Sequence, residues 1–541
     1  MSRQQVGPTG DGQHVFNLEQ GANMEDTWAT ALQWASSAKG HQPADAVPLA
    51  AFQAAFSLLP EMAWMGHSVP VRQDAIRRLG TQSTTSTAMR SCINQGQLKS
   101  AVEFLDQGVG TTFRQMLELK PDVSQVPPQQ AAELQQLSVE LYKGTAIDRG
   151  KTAHKRQQLL QAIRKQPGLE YFLLSKPYSA LADAAKNGPV VILNGHAEGC
   201  DGIIIPNPNS EPVHVPLPGV TLEELQSQQN ILKQQLGQCN SGNVRTPGST
   251  NLSDHSEDLA STMIQKGSEE VLTWLWTNVV GPVYQVLESH GIHTGRLWWL
   301  PTGSFTGLPL HASVPDDPFI HSYTATLGSL LEAQTKKSSS TPHIVSVIGV
   351  MHPGPGGENY LNGVEEEVKQ IQSIIPGPNL KSLQGDKATP DAVKLQLQNS
   401  SWVHLACHGT QDSVDPMKSR LLLYEGNLEL ESILQMLLSN AEFIFLAASQ
   451  TAMGNEEQPN ESFHLSGGFI AAGFRSAVGT LWSMNDEDGP VVAKIFYSHL
   501  FREGRQPQAS DTAEALNLAV KELRAANVPY ERWVPFIHMG I

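Results

Sequence analysis

The sequence predicts a multidomain chain in which an all-α N-terminal region is followed by an α/β region built on a mostly parallel sheet. Three observations predict it. Apolar residues recur at helical spacing from Met24 to about Ala185. At Gly188 the period changes to that of short strands, and from His343 onward apolar runs alternate with helical patterns, as in parallel sheets. At 541 residues the chain is also too long for one hydrophobic core.

Residues 1–20 are rich in Gln and Gly without apolar periodicity and read as a flexible tail. Residues 21–186 form the helical region, with Trp28, Leu32, Phe52, Phe56 and Leu59 marking buried faces. Two stretches, Ala50 to Pro60 and Gly96 to Leu105, resemble second helices of tetratricopeptide units; Ala101 and Phe104 share one face of the latter. The roughly 34-residue period of that repeat is missing, so an ordinary helical bundle stands as the alternative. In either case the helices are expected to be a docking or support surface.

Residues 187–340 read as a small α/β subdomain. Its strands are PVVILNGH, GIIIP, PVHVPLP and, at Arg296 to Pro301, RLWWLP. Residues 237–258 contain almost no apolar side chain and are expected to be an exposed linker; helix resumes from Leu259 to about His290. A polar patch, Lys336 to Ser340, closes the region. Strands so short and few do not bury a core alone, so they are expected to pack beside the C-terminal sheet.

Residues 341–541 alternate regularly. Strands are predicted at His343 to Val350, Leu380 to Leu383, Ser401 to Cys407, Glu442 to Ala448 and Ser476 to Trp482. Helices are predicted near Val364 to Ile374, Thr389 to Gln398, Glu431 to Leu438 and His464 to Gly473. WVHLAC and FIFLAA are apolar throughout, as strands covered on both faces must be. Thr389 before Pro390 is a capping hydroxyl ahead of a proline at the first helical position, a sound helix start.

Composition narrows the function. The formal net charge is −16, from 37 basic and 53 acidic residues, which argues against nucleic-acid and anionic-membrane surfaces. Cys92, Cys200, Cys239 and Cys407 show neither paired nor metal-ligand spacing, as expected in a reducing compartment, and a cytoplasmic location is expected. Neither a secretory signal nor an apolar run long enough to span a membrane is recognisable. No metal and no cofactor is expected, and PGPGG at Pro353 to Gly357 lacks the Lys and hydroxyl of a phosphate loop.

In an open parallel sheet, ligands bind beyond the carboxyl ends of the strands. His408 follows WVHLAC and Ser449 follows FIFLAA at two such ends. The segments WVHLACHG, FLAASQTAMG, HLSGGFIAAGFRSAVGTLWSMNDED and WVPFIHMG resemble the CHAT domain, a relative of caspases and separase; LNGVEEEV and PTGSFTGLPLHAS add to the match. The resemblance implies a caspase-like fold in which 341–541 is the catalytic-type part and 187–340 the non-catalytic half. It implies a cysteine endopeptidase with a His and Cys dyad, His408 as the general base and Gly409 as an oxyanion donor. The nucleophile falls on Ser449, where proteolytic members carry Cys, so the chain as written is expected to be inactive. It is then either a protease whose nucleophile is exchanged for serine, naturally or by engineering, or a natural pseudoprotease serving as a signalling or scaffold module.

Cys407 is no substitute nucleophile, because strand alternation points it away from the face of His408. His404, inside the strand, is expected to be structural. The resemblance further implies an acidic residue that receives a basic side chain before the cleavage site; Asp486 is the first choice and Asp488 the second, against the alternative of a charged first turn on the next helix. The partners implied are a protein or peptide substrate and a regulatory protein bound through the helical region.

Overall fold

The computed structural model describes residues 24–37, 47–143, 146–239, 267, 269–314, 316–336, 344–351, 361–412, 415–436, 438, 440–449, 451–452, 459–461 and 464–541. The expected tail at 1–20, the Gly-rich turn at 353–357 and most of the expected linker lie outside these residues. Eight helices open the described chain: α1 (Met24–Ser37), α2 (Val47–Met62), α3 (Val69–Arg78), α4 (Thr81–Asn94), α5 (Leu98–Gly108), α6 (Thr111–Glu118), α7 (Pro128–Lys143) and α8 (Ala146–Ile163). They pack in sequential pairs, α1 on α2, α4 on α5 and α7 on α8. Their apolar faces meet where the spacing placed them: Trp28, Phe52, Phe56 and Phe104 share one core, with Phe56 stacked on Phe104.

Fourteen strands follow among the described residues: β1 (Val190–Asn194), β2 (Cys200–Ile205), β3 (Val213–Leu217), β4 (Gly295–Pro301), β5 (Phe319–Tyr323), β6 (Val345–Gly349), β7 (Leu380–Gln384), β8 (Trp402–Ala406), β9 (His408–Thr410), β10 (Arg420–Leu423), β11 (Gly426–Glu429), β12 (Phe443–Ala447), β13 (Ser476–Thr480) and β14 (Phe536–Gly540). Eleven form one sheet in the order β3-β2-β1-β4-β5-β14-β13-β12-β8-β6-β7. The pairs β3/β2, β2/β1 and β13/β14 are antiparallel and the others parallel. Strands β9, β10 and β11 make a separate small sheet.

The strands of 187–340 and those of 341–541 thus lie in one continuous sheet, and the joint is β14. This last strand pairs parallel with β5 and antiparallel with β13. The indole of Trp298 donates to the carbonyl of Gly540 at 2.7 Å, and the hydroxyl of Ser476 donates to that of Ile541 at 2.9 Å. Gly540 has φ +94°, and a Cβ there would come within 2.2 Å of the Arg475 carbonyl oxygen, so both conformation and space require glycine.

Alternation divides the first half of the sheet between two cores. Val190 and Ile192 of β1 and Trp298 and Leu300 of β4 pack in the cluster of the N-terminal helices, while Val191, Leu193, Leu297 and Trp299 point into the other. In the second half, β8 and β12 are buried along their whole length, which is why they read as uninterrupted apolar runs. The helices Asn362–Ile374 and Asp488–Leu500 cover the face presenting Trp402, His404, Phe443 and Phe445. Thr389 caps the helix Pro390–Asn399 through its hydroxyl, as its sequence predicts.

Some elements depart from the sequence reading. The helix Leu222–Cys239 runs past the expected linker start at 237. The helix expected from Leu259 is described from 269 and contains a π-turn at Trp276–Val280 before Gly281–Ser289. No helix among the described residues is long and apolar enough to cross a membrane.

Candidate functional site

Strands β6, β8, β12 and β13 are parallel neighbours, so their carboxyl ends lie along one edge. The β8/β12 register runs to Ala406 opposite Ala447. His408 and Ser449 each stand two residues further on, past the carboxyl ends of these adjacent strands. His408 is buried at 6% exposure and Ser449 is partly exposed.

The chain at His408 does not simply continue β8. It turns into β9, which pairs antiparallel with β10, His408 opposite Leu422 and Gly409 opposite Leu421. The added pairing fixes the backbone of both residues. A Cβ on Gly409 would lie 2.7 Å from the carbonyl oxygen of Ser449 and 3.4 Å from Cβ of Ala448, so the two chain segments approach as closely as glycine permits.

The turn after β12 is held by three polar residues that lie within the sequence motifs but carry no expected role there. The hydroxyl of Thr480 donates to the carbonyl of Ala448 at 2.8 Å, and the amide of Thr480 donates to Oγ1 of Thr451 at 2.9 Å. The carbonyl of Thr451 accepts from both the amide and the hydroxyl of Ser466, at 2.8 and 2.9 Å. All three side chains are completely buried. Small hydroxyl residues at the ends of otherwise apolar strands were the available signal, since each must find a partner when buried.

His464 begins the next helix, Leu465–Ala472, and its Nδ1 accepts from the amide of Gly467 at 3.1 Å. Burial pushes this imidazole down to about 4, keeping it neutral. His404 lies within β8 with no exposure, its Nε2 2.9 Å from Oε1 of Glu367 and its Nδ1 3.2 Å from the hydroxyl of Tyr497. Cys407 is also fully buried. Cys92 and Cys200 are buried and form no disulfide, with burial raising their thiols to about 12 and about 11.

The two acidic candidates sit differently. Asp486 is partly exposed, and its Oδ2 accepts from the amide of Gly363 at 2.7 Å, in the first turn of the helix Asn362–Ile374. Asp488 is buried at 2% exposure, and Arg532 holds both its oxygens, at 2.9 and 2.7 Å. Such a bidentate pair occupies the carboxylate. Among the described residues no group of His, Cys, Asp and Glu could hold a metal ion.

An imidazole, a hydroxyl and backbone amides thus follow the carboxyl ends of two adjacent strands. A hydroxyl at such a place reacts only if a base within about 3.2 Å takes its proton as it attacks.

Comparison with known proteins follows the same lines. The family model of the CHAT domain matches residues 269–541. The crystal structure of the Saccharomyces cerevisiae separase-securin complex at 2.6 angstrom resolution aligns with a TM-score of 0.54 and 10% identity, covering 96% of this chain. A second crystal structure of that complex gives 0.51 with 10% identity, covering 96% of this chain and 40% of the yeast one. The chain therefore spans 40% of the length of the yeast chain it matches. The complex of pro- and mature domains of Porphyromonas gingivalis RgpB aligns at only 0.35, with 10% identity over 58% of this chain and 76% of that one. Among curated proteins none matches the sequence significantly.

Proposed function

Because the chain belongs to the CHAT domain family, we propose that it carries an endopeptidase-type site in which His408 is the general base, Gly409 supplies an oxyanion amide and position 449 holds the nucleophile. The observation that supports this reading is the parallel register of β8 and β12, which runs to Ala406 opposite Ala447, two residues before His408 and Ser449. With serine at 449 the site is silent or very slow. A thiol of pKa about 8.5 is held as thiolate beside an imidazolium, whereas a hydroxyl needs concerted deprotonation. Loss of a hydrolase nucleophile costs on the order of 10⁶ in turnover.

In the cysteine form the thiolate attacks the scissile carbonyl, the amides near Gly409 receive the developing oxyanion, and His408 protonates the leaving amine. Water then hydrolyses the thioester with His408 as base. Asp486 is the residue that receives a Lys or Arg side chain before the scissile bond, since Asp488 is taken by Arg532. The tetratricopeptide-like helices are the docking surface of a regulatory protein; the yeast structure contains securin beside separase. A reducing compartment, the cytoplasm, suits the unpaired thiols of Cys92 and Cys200.

Serine at 449 also favours a second reading, a pseudoprotease that keeps the fold as a scaffold. Ser449→Cys distinguishes the two. On the first reading it creates cleavage of a peptide with Lys or Arg before the scissile bond, His408→Ala removes the gain, and Asp486→Ala hurts basic substrates more than neutral ones. If the cysteine chain stays silent with its regulatory partner bound, and that partner binds both chains equally, the scaffold reading stands.

A further inference from the structure

Among the described residues, helix α6 is fastened at both of its ends to the C-terminal part of the chain. At its start, Oε2 of Glu461 accepts from the amides of Thr112 and Phe113 at 3.0 and 3.3 Å. These are amides of the first helical turn, which have no partner within the helix and favour a carboxylate. Glu461 is 4% exposed, and burial pushes its carboxyl up to about 7 despite these bonds. Beside it, Oδ1 of Asn460 accepts from the amide of Gly303 at 2.7 Å, just past β4. Beyond the other end of α6, Nζ of Lys120 donates to the carbonyls of Leu434 and Ala471 at 3.1 Å each. Ala471 lies in the last turn of Leu465–Ala472, where a cation complements the helix dipole.

The helix gripped in this way also supports the site. Ser466, in its first turn, donates twice to the carbonyl of Thr451, whose hydroxyl oxygen receives the amide of Thr480. We propose that α6 splints the turn that carries Ser449, with Glu461 at its start and Lys120 beyond its end as positioning residues, the latter gripping the helix whose Ser466 holds Thr451. The inference rests on the reading of that turn as the place of the nucleophile. Its consequence is that the helical region contributes to the geometry of the site as well as offering a surface.

Hydrogen exchange on the chain as it stands tests the splint without requiring any catalysis. Glu461→Ala should speed exchange of the amides of Ser466 and Thr480 about tenfold or more while those of β8 stay protected. Glu461→Gln, whose amide oxygen still accepts from α6, should restore protection. Lys120→Met, which frees Leu465–Ala472 from the far end of α6, should also speed exchange at Ser466 and Thr480. In the Ser449→Cys chain, the rate of thiol alkylation at position 449 by iodoacetamide against pH should keep its low-pH arm with Gln at 461 and lose it with Ala. Unchanged exchange at both amides in Glu461→Ala and in Lys120→Met overturns the proposal. If Glu461→Ala does not fold, Glu461→Asp, one methylene shorter, is read by the same criteria. An ordinary thiol profile in Ser449→Cys with no response to His408→Ala would sink the dyad, and the exchange data would still decide the splint.

Discussion

Glycine at 409 is required by what lies opposite rather than by its own backbone angles. An added methyl would meet the carbonyl oxygen of Ser449 at 2.7 Å, and a backbone atom cannot swing aside as a side chain could. Gly409→Ala should therefore destabilise the fold by about 1–3 kcal/mol in urea titration, while Gly377→Ala, with nothing within 4 Å of its new Cβ, should be close to neutral. At this scale the position of His408, Gly409 and Ser449 just past two strands was legible, because each follows an apolar run inside a recognisable motif. The difference between Asp486 and Asp488 was not, because the partner that occupies Asp488 lies 44 residues away along the chain. The bonding of Thr451, Ser466 and Thr480 was equally hidden, since it depends on how a turn, a strand end and a helix start are brought together.

Among the elements, β8 and the helices over it are joined by a buried polar bridge. Nε2 of His404 meets Glu367 of Asn362–Ile374, and Nδ1 meets Tyr497 of Asp488–Leu500. His404 and Glu367 expose 0% and 1% of their side chains. Removing one member of such a pair leaves a buried polar group without its partner. Glu367→Ala should cost about 3–5 kcal/mol by chemical denaturation. The solvent-exposed pair Lys369–Glu365 on the same helix should contribute little, so Glu365→Ala serves as the control. Strands β8 and β12 were legible because burial on both faces leaves no polar position. Strand β14 was visible only as part of a motif, since its partners β5 and β13 are distant in sequence. The helices Asp488–Leu500 and Thr512–Ala525 were missed although Val492, Ala493, Phe496, Tyr497 and Leu500 recur at helical spacing. The strands of the β9–β11 sheet are three or four residues long, too short to show an alternation.

The whole molecule combines one continuous sheet with several histidines buried in neutral form. Burial lowers His311 to about 3, His464 to about 4 and His538 well below the usual range. A histidine whose folded value lies below its unfolded value of about 6.5 binds more protons when unfolded, so its contribution is complete above that pH and is lost as pH falls. Glu461 works in the opposite sense, because its raised carboxyl favours the folded state at low pH and loses that contribution as pH rises toward 7. A difference between two chains isolates one group. His464→Asn keeps a side-chain oxygen to cap Leu465–Ala472 but cannot ionise. Relative to the parent, it should gain on the order of 3 kcal/mol as pH falls from about 7 to about 4, read from unfolding free energies. A constant difference across that range would show that His464 is not kept neutral by the fold.

The central claim, that His408 serves a nucleophile at position 449, is tested most directly by intact-mass measurement after exposure to an irreversible peptidyl electrophile with Arg at its reactive end. The Ser449→Cys chain should gain a single adduct that maps to position 449, the parent should gain none, and the doubly substituted His408→Ala, Ser449→Cys chain should label far more slowly. Labelling at position 449 at the same rate with and without His408, or an adduct confined to other cysteines, would contradict it.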